Sequence, residues 1–242
     1  MTLPKINAPE YRLRVPSTDE EITYRPFLVK EEKLLLIAQE TGTDKATYDA
    51  IKQIVNNCCS NDLDIEKMPL FDLEYIFLNI RAKSVGEVTK LKVKCPDDGE
   101  TEIEVEVDLT KINVQMDKTH DARIQLSENP NIGLLMSYPT LNLIGVHAIH
   151  MGKDAKDNAS GMFELVADCM YQIWEGEEVH DCADYSDKEK IEFLESLNHE
   201  QFEKIQKFFD SMPTLKHDIE ITNPTTNVKS TVVLRGISSF FE

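Results

Sequence analysis

Two stretches of this chain repeat one plan: a helix, a strand, a Pro-led turn and a return strand. In residues 71–109 the turn is Cys-Pro-Asp-Asp-Gly at 95–99, and in residues 202–234 it is Asn-Pro-Thr-Thr-Asn at 223–227. A proline early in a turn and a Gly or Asn at its end are typical of tight connections between antiparallel strands. The repeat predicts an α+β fold with helices packed on small antiparallel hairpins, and it suggests two related helix-plus-hairpin halves.

The first hairpin can be predicted to its register. A three-residue loop at 97–99, with Gly99 left-handed, aligns Lys with Glu on one face and apolar residues on the other. The expected pairs are Lys94 with Glu102, Lys92 with Glu104, Lys90 with Glu106, Val93 with Ile103 and Leu91 with Val105. The same count in the second copy pairs Ile221 with Thr231 and Ile219 with Val233. That copy lacks the charge ladder, which weakens the case for duplication.

The remaining N-terminal half alternates between strand and helix patterns. Residues 11–15 and 22–24 predict a hairpin, because apolar and polar residues alternate there. Residues 30–39 predict a helix that Gly42 ends, and a second helix begins near Asp44. A third carries one apolar face, made of Leu73, Ile76, Phe77 and Ile80.

The C-terminal half is mostly helical in pattern. A strand is expected at 134–138, a helix at 141–149 and a loop at 152–161. Three helices follow: the first has Phe163, Val166, Met170 and Trp174 on one stripe, the second begins with a capping box of Ser186 and Glu189, and the third is capped by Asn198. We predict an N-terminal domain at 1–115 and a C-terminal domain at 130–242. The link would lie within 110–130, because residues 117–130 are polar and weakly patterned.

Charge, hydropathy and cysteine content argue against several function classes. The formal charge of −18 argues against nucleic acid and against an anionic membrane surface as partners. No apolar run reaches the ~20 residues that a membrane span needs, and residues 1–10 lack the apolar core of a signal peptide. The five sparsely placed cysteines predict free thiols in a reducing cytoplasm.

The turn at Cys95 resembles one knuckle of a zinc ribbon, with Asp98 where the second thiolate would stand. A structural zinc site usually needs four Cys or His ligands, and the turn at Pro224 supplies none. The two readings are zinc binding and a plain hairpin turn, of which the second is favoured. His147 and His150 could share a helix face as paired ligands, but no acidic or thiol partner stands beside them at helical spacing.

His180 and Cys182 suggest a thiol activated by imidazole. No oxyanion-forming glycine loop stands nearby, so a nucleophile there is disfavoured. Asp62 and Asp64 could hold a divalent ion or, as we expect, cap a following helix. The acidic run within 175–184 is interpreted as a solvated surface.

Three common catalytic and phosphate-binding motifs are absent from the sequence, so an enzyme would have to assemble its site from scattered residues. It has no phosphate-binding Gly-x-x-x-x-Gly-Lys loop, no Gly-x-Ser-x-Gly elbow and no His-Glu-x-x-His pair. We therefore expect no enzyme activity, and we assign no catalytic, cofactor-binding or metal-binding residue and no cofactor. Phe240 and Phe241 would either pack on the last hairpin, the favoured reading, or contact a partner.

Several stretches together resemble the T4-type bacteriophage baseplate hub family. They cover nearly the whole chain: residues 3–9, 24–33, 71–75, 81–87, 138–141, 184–189, and 234–237 with 240–241. The string Arg-Pro-Phe-Leu-Val-Lys-Glu-Glu-Lys at 25–33 is the most specific of them. The absence of a second cysteine at Asp98 departs from a full knuckle.

The resemblance implies a tail protein that acts in assembly of the central hub of a contractile-tail baseplate. Its partners would be other hub or tail-initiation proteins, or the tape-measure protein. It could be a hub subunit that stays in the virion baseplate or an assembly chaperone that acts in the host cytoplasm and is not retained. The sequence leaves the partner, the binding surface and self-association open.

Overall fold

The computed structural model describes residues 7–60, 62–143, 155–236 and 239, including their side chains except at 44 and 155–160. In chain order the elements are β1 (Tyr11–Arg14), β2 (Glu21–Tyr24), α1 (Val29–Thr41), α2 (Asp44–Cys58), α3 (Leu70–Val85), β3 (Val88–Lys94), β4 (Glu102–Asp108), β5 (Asn113–Gln115), β6 (Arg123–Glu128), β7 (Asn131–Met136), α4 (Ala155–Asp168), β8 (Met170–Glu175), β9 (Glu178–Asp181), α5 (Asp187–Glu195), α6 (His199–Ser211), β10 (Thr214–Thr222) and β11 (Lys229–Arg235). Helices and small antiparallel sheets confirm the α+β class.

The chain divides into two compact units. The first is formed within residues 1–65, 71–115 and 214–242, and the second within 66–70 and 116–213. The predicted C-terminal domain includes residues 214–242, whereas in the structure they belong to the first unit. The reason is that β10 pairs with β5 as well as with β11. Whether 1–115 and 130–242 behave as domains stays a prediction.

The described sheets of both units are antiparallel and small. In the first unit, β1 pairs with β2, β3 pairs with β4, and β11, β10 and β5 form a three-stranded sheet. In the second, the strand order is β6-β7-β8-β9. Both units therefore rest on hairpins, as the sequence predicts.

The predicted register of the first hairpin is confirmed at all five pairs, from Lys94 with Glu102 to Lys90 with Glu106. The second prediction is wrong by one residue, since Ile221 pairs with Ser230 and Ile219 with Val232. The reason is the length of the turn. Cys95 N bonds to Thr101 O, six residues on, whereas Asn223 N bonds to Val228 O, five residues on.

Local signals placed most helix ends correctly. Gly42 ends α1 in the left-handed conformation, with φ 67°. Ser186 and Glu189 form the predicted capping box of α5. Asn198 caps α6 through a 2.9 Å bond from Gln201 N.

Four predictions in the C-terminal half are wrong or only partly tested. Residues 123–128, within the supposed link, form β6, whose Ile124 and Leu126 are buried. Residues 155–161 belong to α4 rather than to a loop. The predicted helical stripe spans two elements, because α4 ends at Asp168 and residues 170–175 form β8. Of the predicted helix at 141–149, only residues 141–143 are described, and they are helical.

The cores differ in how they are built. Helix α3 buries more than its predicted face, since Leu78 is as completely buried as Ile76, Phe77 and Ile80. A helix that is apolar around most of its surface is typical of a protein interior. The second core lies between the sheet and its helices; its fully buried members include Leu134, Cys169 and Ile205.

Candidate functional site

Helix α1 is fixed at its start by a buried ion pair. The Glu31 carboxylate is fully buried, and Arg25 Nη2 donates to it at 3.1 Å. Its second oxygen accepts from Leu28 N at 2.9 Å, and Lys30 Nζ lies 3.2 Å from the first. Burial by itself raises the pKa of Glu31, but the hydrogen bonds from Arg25, Leu28 and Lys30 outweigh it and lower the pKa below its usual value.

The opposite side of α1 exposes apolar side chains. Val29 is 79% exposed, Leu36 55% and Ile37 48%. Residues separated by seven or eight positions share a helix face, so these three form one stripe, which we call the α1 face. Leu28, just before the helix, is also exposed. Contiguous exposed apolar patches are one feature of protein contact surfaces.

A concave surface lies beside β8, β9 and α5. It is a cavity of about 320 Å³ whose apolar lining includes Ile132, Ile173 and Phe193. His180 and Cys182 both line it, so the structure does bring this predicted pair to one place. The lining also contains Tyr185, Glu189, Lys190 and Glu175.

The chemistry of this cavity does not favour a nucleophile. Burial raises the pKa of the Cys182 thiol, and Asp181 raises it further while Lys190 lowers it. The raised pKa leaves little thiolate at neutral pH. His180 Nδ1 is 3.0 Å from the hydroxyl of Tyr185.

The knuckle-like turn at Cys95 lies against the second Pro-led turn. Asn223 Nδ2 is 2.9 Å from Asp98 Oδ2 and 3.1 Å from either oxygen of Asp97. Thr226 and Asn223 lower the pKa of Asp97 by donating to it. Hydrogen bonds from Thr101, and then from Asn223, lower the pKa of Asp98. The described residues contain no group of three or more His, Cys, Asp or Glu placed to hold a metal ion.

Other predicted sites are less informative. His147, His150, Phe240 and Phe241 lie outside the described residues. Asp62 and Asp64 do not cap a helix, because α3 begins only at Leu70. The acidic run within 175–184 surrounds the β8–β9 turn, and its carboxylates at 175, 177, 178 and 184 are exposed.

Sequence reasoning missed a cluster of side chains around one histidine, His120, in the second unit. His120 Nε2 is 3.0 Å from the hydroxyl of Tyr138, and its Nδ1 is 2.9 Å from Ser211 Oγ. The ring stacks on Tyr138 and lies 5.0 Å from the Phe208 ring. Burial lowers the pKa of His120, although Asp121 and Asp117 act in the opposite direction. The partners lie 18 to 91 residues away, so no local pattern could reveal them.

No helix in the described ranges combines the length and the apolar composition that crossing a bilayer requires. A family model described as "T4 bacteriophage base plate protein" matches residues 8–242. Neither a curated protein nor a solved structure matches the chain.

Proposed function

This chain belongs to the T4 bacteriophage base plate protein family, and from that premise we propose that it acts in assembly of the central baseplate hub through protein–protein contacts, without catalysing a reaction. The observation that carries the proposal is the α1 face. Its apolar side chains are exposed on a helix whose start is fixed by the buried Arg25–Glu31 pair. A surface that is ordered before binding costs little conformational entropy when a partner docks.

The expected partner is another hub or tail-initiation protein that offers an apolar segment to this helix. Helix faces and grooves commonly pair in this way. The net charge of −18 would speed encounter with a basic partner and discourage association of like copies. Assembly would take place in the host cytoplasm, and the protein would be found in the virion baseplate if it is retained.

The test is recovery of partners from infected cells. A tagged chain and its Leu36→Glu/Ile37→Glu variant are expressed during infection, and co-purifying proteins are identified by mass spectrometry. We expect the variant to lose baseplate proteins that the unaltered chain recovers, because two buried charges at an interface are costly. Val179→Glu is the matched control, since Val179 is 62% exposed but lies on β9. Equal recovery by all three chains would count against the α1 face.

Analysis of purified virions beside these lysates separates a subunit from a chaperone. A transient chaperone of a hub or tape-measure protein would co-purify from lysates but be absent from purified virions. A permanent subunit would be present in both.

The alternative of an enzyme rests on the cavity that His180 and Cys182 line. It requires baseplate assembly to depend on those two side chains. We expect Cys182→Ser and His180→Ala to leave baseplate assembly unchanged. Loss of assembly by a variant that still folds would support the enzyme alternative.

A further inference from the structure

The two Pro-led turns differ in the residue that closes them, but within their five residues they share one hydrogen bond and a left-handed last residue. Gly99 N donates to Cys95 O at 2.9 Å, and Asn227 N donates to Asn223 O at 2.8 Å. Gly99 and Asn227 are both left-handed, with φ 69° and 59°. In each turn the first residue and the residue three positions later have the spacing of paired ligands in a zinc knuckle. These positions are Cys95 and Asp98 in one turn, and Asn223 and Thr226 in the other.

Side chains of the two turns meet. Asn223 Nδ2 contacts the carboxylates of Asp97 and Asp98, which are 126 and 125 residues away in sequence. Thr226 Oγ1 also donates to Asp97. Cys95 and Asn223 are fully buried. The contact thus joins the tip of the β3–β4 hairpin to the tip of the β10–β11 hairpin.

The Asn223 side chain serves both turns at once. Its Oδ1 accepts from Thr225 N at 2.8 Å and from Thr226 N at 3.4 Å, within its own turn. A cysteine sulfur at this position would face the same two N–H groups. Its Nδ2, which a sulfur cannot replace, supplies the bonds to the opposite turn.

We infer that the two turns form a two-knuckle ribbon in which the amide of Asn223, and not a metal ion, joins the knuckles. Only one of the four ligand positions holds a thiol, and a side-chain amide nitrogen is a poor zinc ligand. The oxygens of Asp98 are engaged by Thr101 and Glu100 N as well as by Asn223. Each turn nonetheless has the ligand spacing of one knuckle, so we expect Asp98→Cys, Asn223→Cys and Thr226→Cys together to complete a four-thiolate zinc site with Cys95.

The first test uses the full chain carrying all three substitutions, with Co²⁺ as the probe. We expect one equivalent of Co²⁺ to give the absorption of tetrahedral cobalt thiolate, Zn²⁺ to displace it, and EDTA to lower the melting temperature. The unaltered chain should melt at the same temperature with and without EDTA. Asp98→Cys alone is the matched control, since it has two thiols in one knuckle and should not bind stoichiometrically. A folded triple variant without cobalt binding overturns the inference.

A second measurement keeps the inference testable if the triple variant does not fold. In a double-mutant cycle, Asn223→Ala and Asp98→Ala should lower the melting temperature by less together than the sum of their separate effects, because both remove the same contact. Asn223→Ala with Asp108→Ala should be additive, since Asp108 bonds Thr110 at the far end of β4. Additive losses for Asn223 and Asp98 overturn the inference regardless of the cobalt result.

Discussion

The guanidinium of Arg25 lies 3.1 Å from the carboxylate of Glu31, and the Glu31 side chain has no solvent exposure. The same guanidinium donates to Asn57 O and Pro26 O, both at 2.9 Å, so it also ties the end of α2 to the start of α1. A buried charge loses its hydration and must be compensated by its partners. This contact gives a physical reason for the presence of Arg25 and Glu31 in the string at residues 25–33.

Replacing Arg25 should strongly destabilise the protein. Arg25→Ala leaves the Glu31 carboxylate buried with one cation fewer, which we expect to cost about 3 kcal/mol and lower the melting temperature by roughly 6–12 °C. Arg12→Ala is the control, because its pair with Glu21 at 3.2 Å is exposed and should contribute less than about 1 kcal/mol. Similar losses in thermal melts of the two variants would contradict the buried-pair account.

The pH dependence of the Arg25–Glu31 contact has a defined sign. The pKa of Glu31 is lower in the folded than in the unfolded protein, so its stabilisation is complete above the ordinary Glu value of about 4.3. It is lost as pH falls through the folded pKa. We therefore expect the difference in unfolding free energy between Arg25→Ala and the unaltered chain to narrow in acid.

Gly133 should tolerate no side chain. It is paired with Trp174 across β7 and β8, and an added Cβ would lie 1.8 Å from Trp174 Cζ2. Trp174 is only 7% exposed and Arg123 covers its ring at 4.3 Å, so moving the indole would disrupt this packing. We expect Gly133→Ala to cost about 1–3 kcal/mol in urea unfolding. Trp174→Leu should relieve part of that loss, and full additivity of the two changes would exclude the clash.

His120 should make the second unit sensitive to mild acid. Because Ser211 Oγ donates to Lys207 O, His120 Nδ1 donates to Ser211, and Nε2 accepts from Tyr138 as a neutral imidazole. The folded pKa lies below the unfolded value of about 6.5, so stability is complete above that value and falls as pH drops through the folded pKa.

The check is a pH series between 7 and 5. As pH falls, the unfolding free energy of the unaltered chain should decrease relative to that of His120→Gln, with a slope of at most about 1.4 kcal/mol per pH unit. Parallel pH profiles for the two proteins would mean that His120 does not titrate differently on folding.

Asp72 gives the opposite pH trend. Its Oδ1 accepts from Ser17 N at 3.1 Å, whereas its buried Oδ2 has no hydrogen-bond partner among the described residues. Burial raises the pKa of Asp72, so the stability it contributes is present below the ordinary Asp value of about 3.9 and is lost as pH rises through the folded pKa. We expect Asp72→Asn to be more stable than the unaltered chain at pH 7 in urea unfolding. The advantage should shrink near pH 4, and no change between the two pH values would refute the explanation.

Features with local causes could be predicted from the sequence. The β3–β4 register follows from alternating Lys and Glu and from Gly99, and the helix caps follow from Ser186 and Asn198. The prediction for β10–β11 is wrong because the residue directly after Asn227 already pairs with the opposite strand. In the first hairpin Glu100 intervenes between Gly99 and the first paired residue. Proline and the left-handed residue alone do not determine the number of loop residues.

Features with long-range causes could not be predicted. Met170 and Trp174 fit a helical stripe from Phe163, and the pairing of β8 with both β7 and β9 overrides that pattern. In β6 a signal was present, since Ile124 and Leu126 alternate with polar neighbours. The contacts of Asn223 with Asp97 join residues that nothing in the sequence marks as neighbours.

The pairing of β10 with β5 has a consequence for synthesis on the ribosome. Every residue of the second unit precedes Thr214. The first unit also needs β10 and β11, which are translated after the whole second unit. Domains tend to fold as they emerge. The second unit can thus be complete while the first still lacks β10 and β11, and the first unit closes only after both strands have been translated.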